Sequence, residues 1–211
     1  MHLVLASGSP RRAALLRAAG FACEICEAGI AEGILPRELP GDYVRRVAGD
    51  KSATVARKML AEGQGVAGVQ ASELSPTPER VVVGADTAVV VDGDILGKPS
   101  DVQEATAMLR RLSGRTHQVL TGLSVRAPGF ENGCVEATVV RFRSLSEAEF
   151  LWHAAAGEWA DKAGGYAIQG LASRFVDGID GSYSNVVGLP LAALCRVLAD
   201  VIRRLSKASV A

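Results

Sequence analysis

A chain of 211 residues that is 48% hydrophobic and 22% charged has enough apolar material for a full core, which excludes a mostly disordered protein. Lysines plus arginines number 23, as do aspartates plus glutamates, so the formal net charge is +0. Nucleic-acid coats and membrane-surface binders normally carry a basic excess, so neither partner is expected and any anion site must be local.

The chain opens with a short strand over 2–6. Leu15, Leu16 and Ala19 then make an apolar helical face that ends at Gly20, with Ser9 as N-cap and Pro10 at the first helical position. Arg11 and Arg12 therefore fall in the first turn, where free N–H groups and the helix dipole already concentrate positive charge. Local propensity disfavours that choice, and a bound anion would reverse it. A second strand covers about 22–26, followed by a loop holding Glu32 and Pro36. "GDYVRRVAGDKSATVARKML" has helical spacing, with Tyr43, Val44, Val47, Ala48, Val55 and Met59 as its apolar stripe. Residues 63–79 are rich in Gly, Ser and Pro and read as a surface loop.

"RVVVGADTAVVVDGDILGKP" reads as two apolar strands broken at Gly84–Thr87, then a turn at Asp92-Gly93-Asp94. Asp101 and Glu104 have capping-box spacing for a helix to about Leu112, and Ser146 and Glu149 repeat it further on. "HQVLTGLSVRAP" and "CVEATVVRFRSL" form a long hairpin around Gly129–Gly133. Short strands near 173–177 and 183–187 precede an amphipathic helix from Pro190 to about Leu205. Helices alternate with strands while hairpins interrupt them. The predicted class is α/β, a mixed sheet flanked by helices, in one domain over 1–211.

Asp86 interrupts the longest apolar run, so no segment is long enough to span a bilayer. The first strand is too short for a secretory signal, and its Arg pair lies on the wrong side, which points to the cytoplasm. Cys23, Cys26, Cys134 and Cys195 do not suggest zinc. The odd spacing sends Cys23 and Cys26 to opposite strand faces, no second CxxC exists, and Cys195 sits in the apolar pattern of the last helix.

Asp86 is the most informative acid. A carboxylate at the end of a near-continuous hydrophobic strand is costly unless paired, hydrogen-bonded or metal-bound, the plain alternative being a turn cap beside Gly84. "GDILGKP", which holds Lys98, is not a phosphate loop: Gly93 and Gly97 are one residue too close, and Pro99 stands where a Ser or Thr belongs. Neither GxGxxG nor GxSxG occurs. Arg11, Arg12, Lys51, Lys98 and Lys162, set against Glu32, Asp86 and Asp161, are singly ordinary surface charges. Together they suit a polyphosphate accompanied by a hard divalent ion.

Five stretches, "LASGSPRR", "GADTAVVVDGDILGKP", "LSGRTHQVLTG", "DKAGGYAIQG" and "IDGSYSNVVGLPL", resemble the Maf family of nucleoside triphosphate pyrophosphatases, relatives of the inosine triphosphatase fold. They follow family order from residue 5 to 191. "DKAGGYAIQG" is similar to the dTTP/UTP-cleaving branch rather than the branch acting on 7-methyl-GTP. The resemblance implies a twisted mixed sheet with two lobes around a deep nucleotide cleft, and a homodimer. It implies Asp86 as the base that activates water, and Arg11, Thr87 and Gln169 as residues deciding the nucleotide. Ser7, Arg12, Glu32, Lys51 and Lys98 match cleft-lining positions. The implied reaction cleaves between the α- and β-phosphates of a nucleoside triphosphate, with Mg²⁺ or Mn²⁺ held by Glu32, Asp86 or both.

Gln169 offers an adjacent acceptor and donor, which match O4 and N3–H of thymine or uracil; the alternative is a Gln satisfying backbone in the "IQG" turn. Departures from the family pattern are Ala31 in place of an acid, Trp159 in place of a Pro, "GYA" for "AYG", and an insertion at 63–79. Maf proteins are also linked to inhibition of septum formation, so a nucleotide-binding regulator is the second reading. Asp86 favours an enzyme, because binding alone needs no base.

Overall fold

Twelve residues from Arg80 to Val91 form one unbroken strand, β3. The expected break at Gly84–Thr87 does not occur. Every residue from Val82 to Val90 pairs antiparallel with the strand Thr116–Ala127, so Gly84 and Ala85 continue the ladder. The protein is described from a computed structural model over residues 2–64 and 80–208. Nearly all of the expected loop at 63–79 therefore lies outside the described residues.

Parallel strands β1 (His2–Leu5) and β2 (Cys23–Ile25) lie on one side of β3, with β1 directly against it. On the other side follow β5 (Thr116–Ala127), β6 (Phe130–Phe142) and β7 (Val176–Asp180), all antiparallel; β4 (Asp94–Leu96) folds back on the end of β3. The result is a seven-stranded mixed sheet. Among the described residues, six helices flank it: α1 (Pro10–Ala18), α2 (Pro40–Gln64), α3 (Val102–Leu112), α4 (Glu147–Ala156), α5 (Tyr183–Val187) and α6 (Leu191–Ala208). Strand alternation sends Val81, Val83 and Ala85 to a core shared with Leu16 of α1 and Leu194 and Val201 of α6. Val82, Ala88 and Val90 face the opposite way and pack with Val55 and Val44 of α2.

Four further local expectations change. The hairpin turns at Pro128-Gly129, and Glu131–Gly133 already belong to β6, because Gly133 lets the backbone of Leu123 approach where a Cβ would stand 2.2 Å from its carbonyl. Residues 171–175 are a 3₁₀ turn, so β7 starts only at Val176. Residues 183–187 form α5 rather than a strand, capped by Ser182 Oγ accepting the Asn185 N–H at 3.3 Å. Cys195, expected in the apolar stripe of α6, is exposed. Cys23 and Cys26 do pack into different cores. Among the described residues, no helix is long and apolar enough to cross a membrane.

Two glycines bring α2 down onto the sheet. A Cβ on Gly84 would stand 2.2 Å from the carbonyl oxygen of Ala48, and one on Gly122 would stand 2.0 Å from that of Val44. Both obstacles are helix backbone, which cannot rotate away. Gly122→Ala should therefore push α2 outward and lower stability by ~1–3 kcal/mol, as overpacking typically does. An unchanged urea midpoint would show that the helix does not need this approach. The same closeness sets Lys51 of α2 over the middle of β3.

Candidate active site

β1 pairs with β3 as far as Val83, and β4 pairs with it from Val89. Among the described residues, Gly84–Ala88 thus has no strand on that side. Asp86 and Thr87 fall in this gap, pointing to opposite faces. Groups from both faces can meet around the open edge, just beyond the end of β1, where the chain continues as Ala6-Ser7-Gly8.

On the α2 face, Asp86 is only 5% exposed. Lys51 Nζ donates to Asp86 Oδ1 at 2.7 Å and pairs with Glu32 Oε1 at 2.6 Å. Lys51 is buried because it occupies the inner stripe of α2, four residues from both Val47 and Val55. Burial pushes the Glu32 carboxyl upward, but the bond and charge of Lys51, with Lys98 and Arg12 behind it, outweigh burial and hold it below its ordinary range. Glu32 is therefore ionised at neutral pH. Tyr43 stands close to both acids: burial, then the charges of Asp86 and Glu32, push its phenol up to about 12. Its hydroxyl donates to the Glu32 carbonyl at 3.1 Å.

On the α1 face, Arg12 is turned inward with Ala13 and Leu16 and is 8% exposed. Its Nε donates to the Gly188 carbonyl at 2.7 Å, Nη1 to Ser7 Oγ at 2.9 Å and Nη2 to Thr87 Oγ1 at 3.1 Å. All three acceptors are neutral. Burial lowers the Arg12 pKa, and the charges of Asp86 and Glu32 only partly offset it. A buried guanidinium without a carboxylate bonded to it is a standing invitation to an anion. Ser9 is the N-cap by position, but its side chain makes no capping bond, so the first turn of α1 keeps its unpaired N–H groups.

The remaining expected residues surround this centre. Lys98 is exposed, and its charge is felt at Glu32. Arg11 is half-buried, beside Arg12 and Lys162, whose pKa is lowered by burial and then by the charge of Arg11. Gly164 N–H donates to the Gly97 carbonyl at 3.0 Å, tying the Lys162 segment to the Lys98 loop. Gln169 is exposed and its side chain bonds to no described residue, which removes the backbone-satisfying alternative. Its turn is held from below: Tyr166 Oη meets His117 Nε2 at 2.7 Å, and Glu158 Oε2 accepts the Leu171 N–H at 2.7 Å, over the bare Cα of Gly170. Burial drives His117 down to about 4, so it stays neutral there.

Sequence reasoning overlooked the supports. Gly188 supplies a carbonyl to Arg12, and Thr121 Oγ1 meets Thr87 Oγ1 at 2.9 Å while also donating to the Asn185 carbonyl at 3.3 Å. Asn185 is buried and its Nδ2 bridges the Val119 carbonyl and Thr138 Oγ1, at 2.9 and 3.0 Å. A polar Asn inside "SYSNVVGLP" was the available signal.

Asp86 and Glu32 offer hard oxygen donors around one shared cation, and the described residues hold no cluster of three or more His, Cys, Asp or Glu. A pair of carboxylates suits a Mg²⁺-like ion whose other ligands are phosphate oxygens and water, and does not suit a closed protein cage.

The α/β protein thus has a carboxylate pair bridged by lysine beside a buried arginine that lacks a direct counterion, the kind of cluster in which functional sites are sought. The Maf-like protein family model matches residues 2–201, and the chain belongs to that family. Among curated relatives, a dTTP/UTP pyrophosphatase of Anaeromyxobacter dehalogenans (strain 2CP-C) is 46% identical over 201 residues, covering 93% of this chain and 92% of the relative. One from Hahella chejuensis is 48% identical over 195 residues, covering 90% and 87%. One from Vibrio cholerae is 44% identical over 189 residues, covering 90% and 92%.

Proposed function

We propose that this protein is a nucleoside triphosphate pyrophosphatase that hydrolyses dTTP and UTP to the monophosphate and pyrophosphate. The observation that carries this is the Asp86–Lys51–Glu32 ion-pair cluster beside Arg12, whose hydrogen-bond partners are all neutral. The relatives' activity supports the substrate class.

Phosphates of the substrate enter the gap beside Asp86 and bring Arg12 the negative charge it lacks, with the first N–H groups of α1 adding donors. Asp86 accepts a proton from water as the water oxygen bonds to the α-phosphorus. The bond from that phosphorus to the bridging oxygen breaks, and pyrophosphate leaves with its electron pair. Lys51, Lys98, Arg11 and Arg12 stabilise the charge on the departing group. Lys51 also orients Asp86 by donating to Oδ1, which leaves Oδ2 for the water. Glu32, Asp86 or both would hold Mg²⁺ or Mn²⁺, which would supply positive charge that offsets the phosphates' repulsion of an anionic attacker. All of this lies in one catalytic domain.

Pyrophosphate release from a panel of nucleoside triphosphates with Mg²⁺ or Mn²⁺ tests the assignment. dTTP and UTP should exceed dATP and dGTP. Gln169→Ala should narrow that gap, costing the pyrimidines ~1–3 kcal/mol for a lost hydrogen-bonding partner and the purines less. A wild-type preference for purines, or an undiminished pyrimidine preference in the Ala variant, refutes the role of Gln169.

A further inference from the structure

The loop that delivers Glu32 runs from residue 26 to 39 without regular structure. Its first part is anchored, with Cys26, Ala28 and Ile30 packed against Val55 of α2 and Lys58 donating to the Glu27 and Ala28 carbonyls. Beyond Glu32 it buries little of its apolar content: Ile34, Leu35 and Leu39 are 50%, 52% and 67% exposed, so polar ties must hold that part. The ties of residues 33–38 converge on one side chain of α2. Arg46 Nε donates to Glu38 Oε1 at 2.6 Å, and Nη2 donates to Glu38 Oε2 at 2.8 Å, a two-pronged fork. The same Nη2 donates at 2.9 Å to the carbonyl of Gly33, the residue that follows Glu32. Glu38 Oε2 also accepts the Leu35 N–H at 2.9 Å, closing a turn in which Arg37 adopts a left-handed φ of 61°. One turn earlier on α2, Tyr43 holds the Glu32 carbonyl, and Arg46 lies over the Tyr43 ring at 5.8 Å. Both carbonyls at and after Glu32 are thus fixed to the helix that carries Lys51.

We propose that Arg46, through its fork with Glu38, is a positioning residue that holds the Glu32 carboxylate against Lys51 and Asp86. This rests on Glu32 serving the proposed reaction. Neither member of the fork is hydrogen-bonded to Asp86, Lys51 or Arg12. Bonding to Arg46 keeps the Glu38 carboxyl down at about 2, so the fork stays charged throughout the neutral range.

Arg46→Lys keeps a cation but loses the planar fork. kcat/KM for dTTP should fall ~10–100-fold, the usual cost of losing a residue that orients a ligating group. Amides over 32–39 should exchange faster with deuterium while those of β3 keep their protection. In a Glu32→Gln background the same substitution should change kcat/KM, and dTTP affinity measured by calorimetry, by no more than about twofold, because the residue it positions is already disabled. Wild-type kcat/KM in Arg46→Lys, or an equal loss in both backgrounds, overturns the positioning role while leaving the proposed function standing. Full activity in Glu32→Gln alone removes Glu32 from the reaction and this proposal with it.

Discussion

Asp86→Asn is expected to lower kcat by ~10²–10⁴-fold while leaving dTTP binding largely intact. The amide fits the space of the carboxylate and still accepts from Lys51 through its carbonyl oxygen, so the fold and the bridge to Glu32 remain. What disappears is the group able to take a proton from water. The carboxylate sits on a strand buried on both faces, in the stretch of β3 that, among the described residues, has β5 on one side and no strand on the other. Steady-state kinetics and calorimetry on the same preparation separate the two effects. Near-wild-type turnover in the Asn variant excludes Asp86 as the base.

Arg12→Ala should weaken dTTP binding by far more than thymidine binding. Charge-assisted hydrogen bonds to a phosphate contribute ~1.5–3 kcal/mol, which corresponds to ~10–150-fold in affinity. Arg12→Lys should recover only part of this, since an ammonium cannot reach Ser7, Thr87 and the Gly188 carbonyl together as the guanidinium does. A thermal melt run alongside reports how much of the loss comes from the three oxygens left without their donor. Equal losses for nucleoside and triphosphate mean that Arg12 serves packing alone.

Much of this site was legible in the sequence because its residues break local rules. An Arg pair in a first helical turn and an Asp inside a valine strand are each unfavourable without partners; the structure gives Asp86 a lysine and Arg12 three neutral acceptors. Lys51 entered only through the family resemblance, since singly it reads as a surface charge; its spacing from Val47 and Val55, which places it on the buried stripe of α2, was the signal left unused. The mixed sheet followed from alternating helical and hairpin patterns. The continuity of β3 did not, since Gly84 reads as a break; it serves instead as the place where the Ala48 carbonyl approaches. Residues 183–187 look like a strand by composition, and the Ser182 cap and packing against β5 override that preference. The supports from Gly188, Thr121, Asn185 and the Arg46–Glu38 fork were hidden because backbone carbonyls and distant pairings leave little trace in one sequence. That Asp86 and Thr87 share one open edge while pointing to opposite faces depends on where β1 stops and β4 begins, and that is a property of the assembled sheet.

Phosphorus NMR of the products formed from dTTP with Mg²⁺ is the most direct test of the central claim. Hydrolysis beside Asp86 at the α-phosphorus yields dTMP and pyrophosphate in equal amounts, with no orthophosphate and no dTDP at any time. Orthophosphate appearing with dTDP would mean that the terminal phosphate is cleaved instead, and would contradict the assignment of this site.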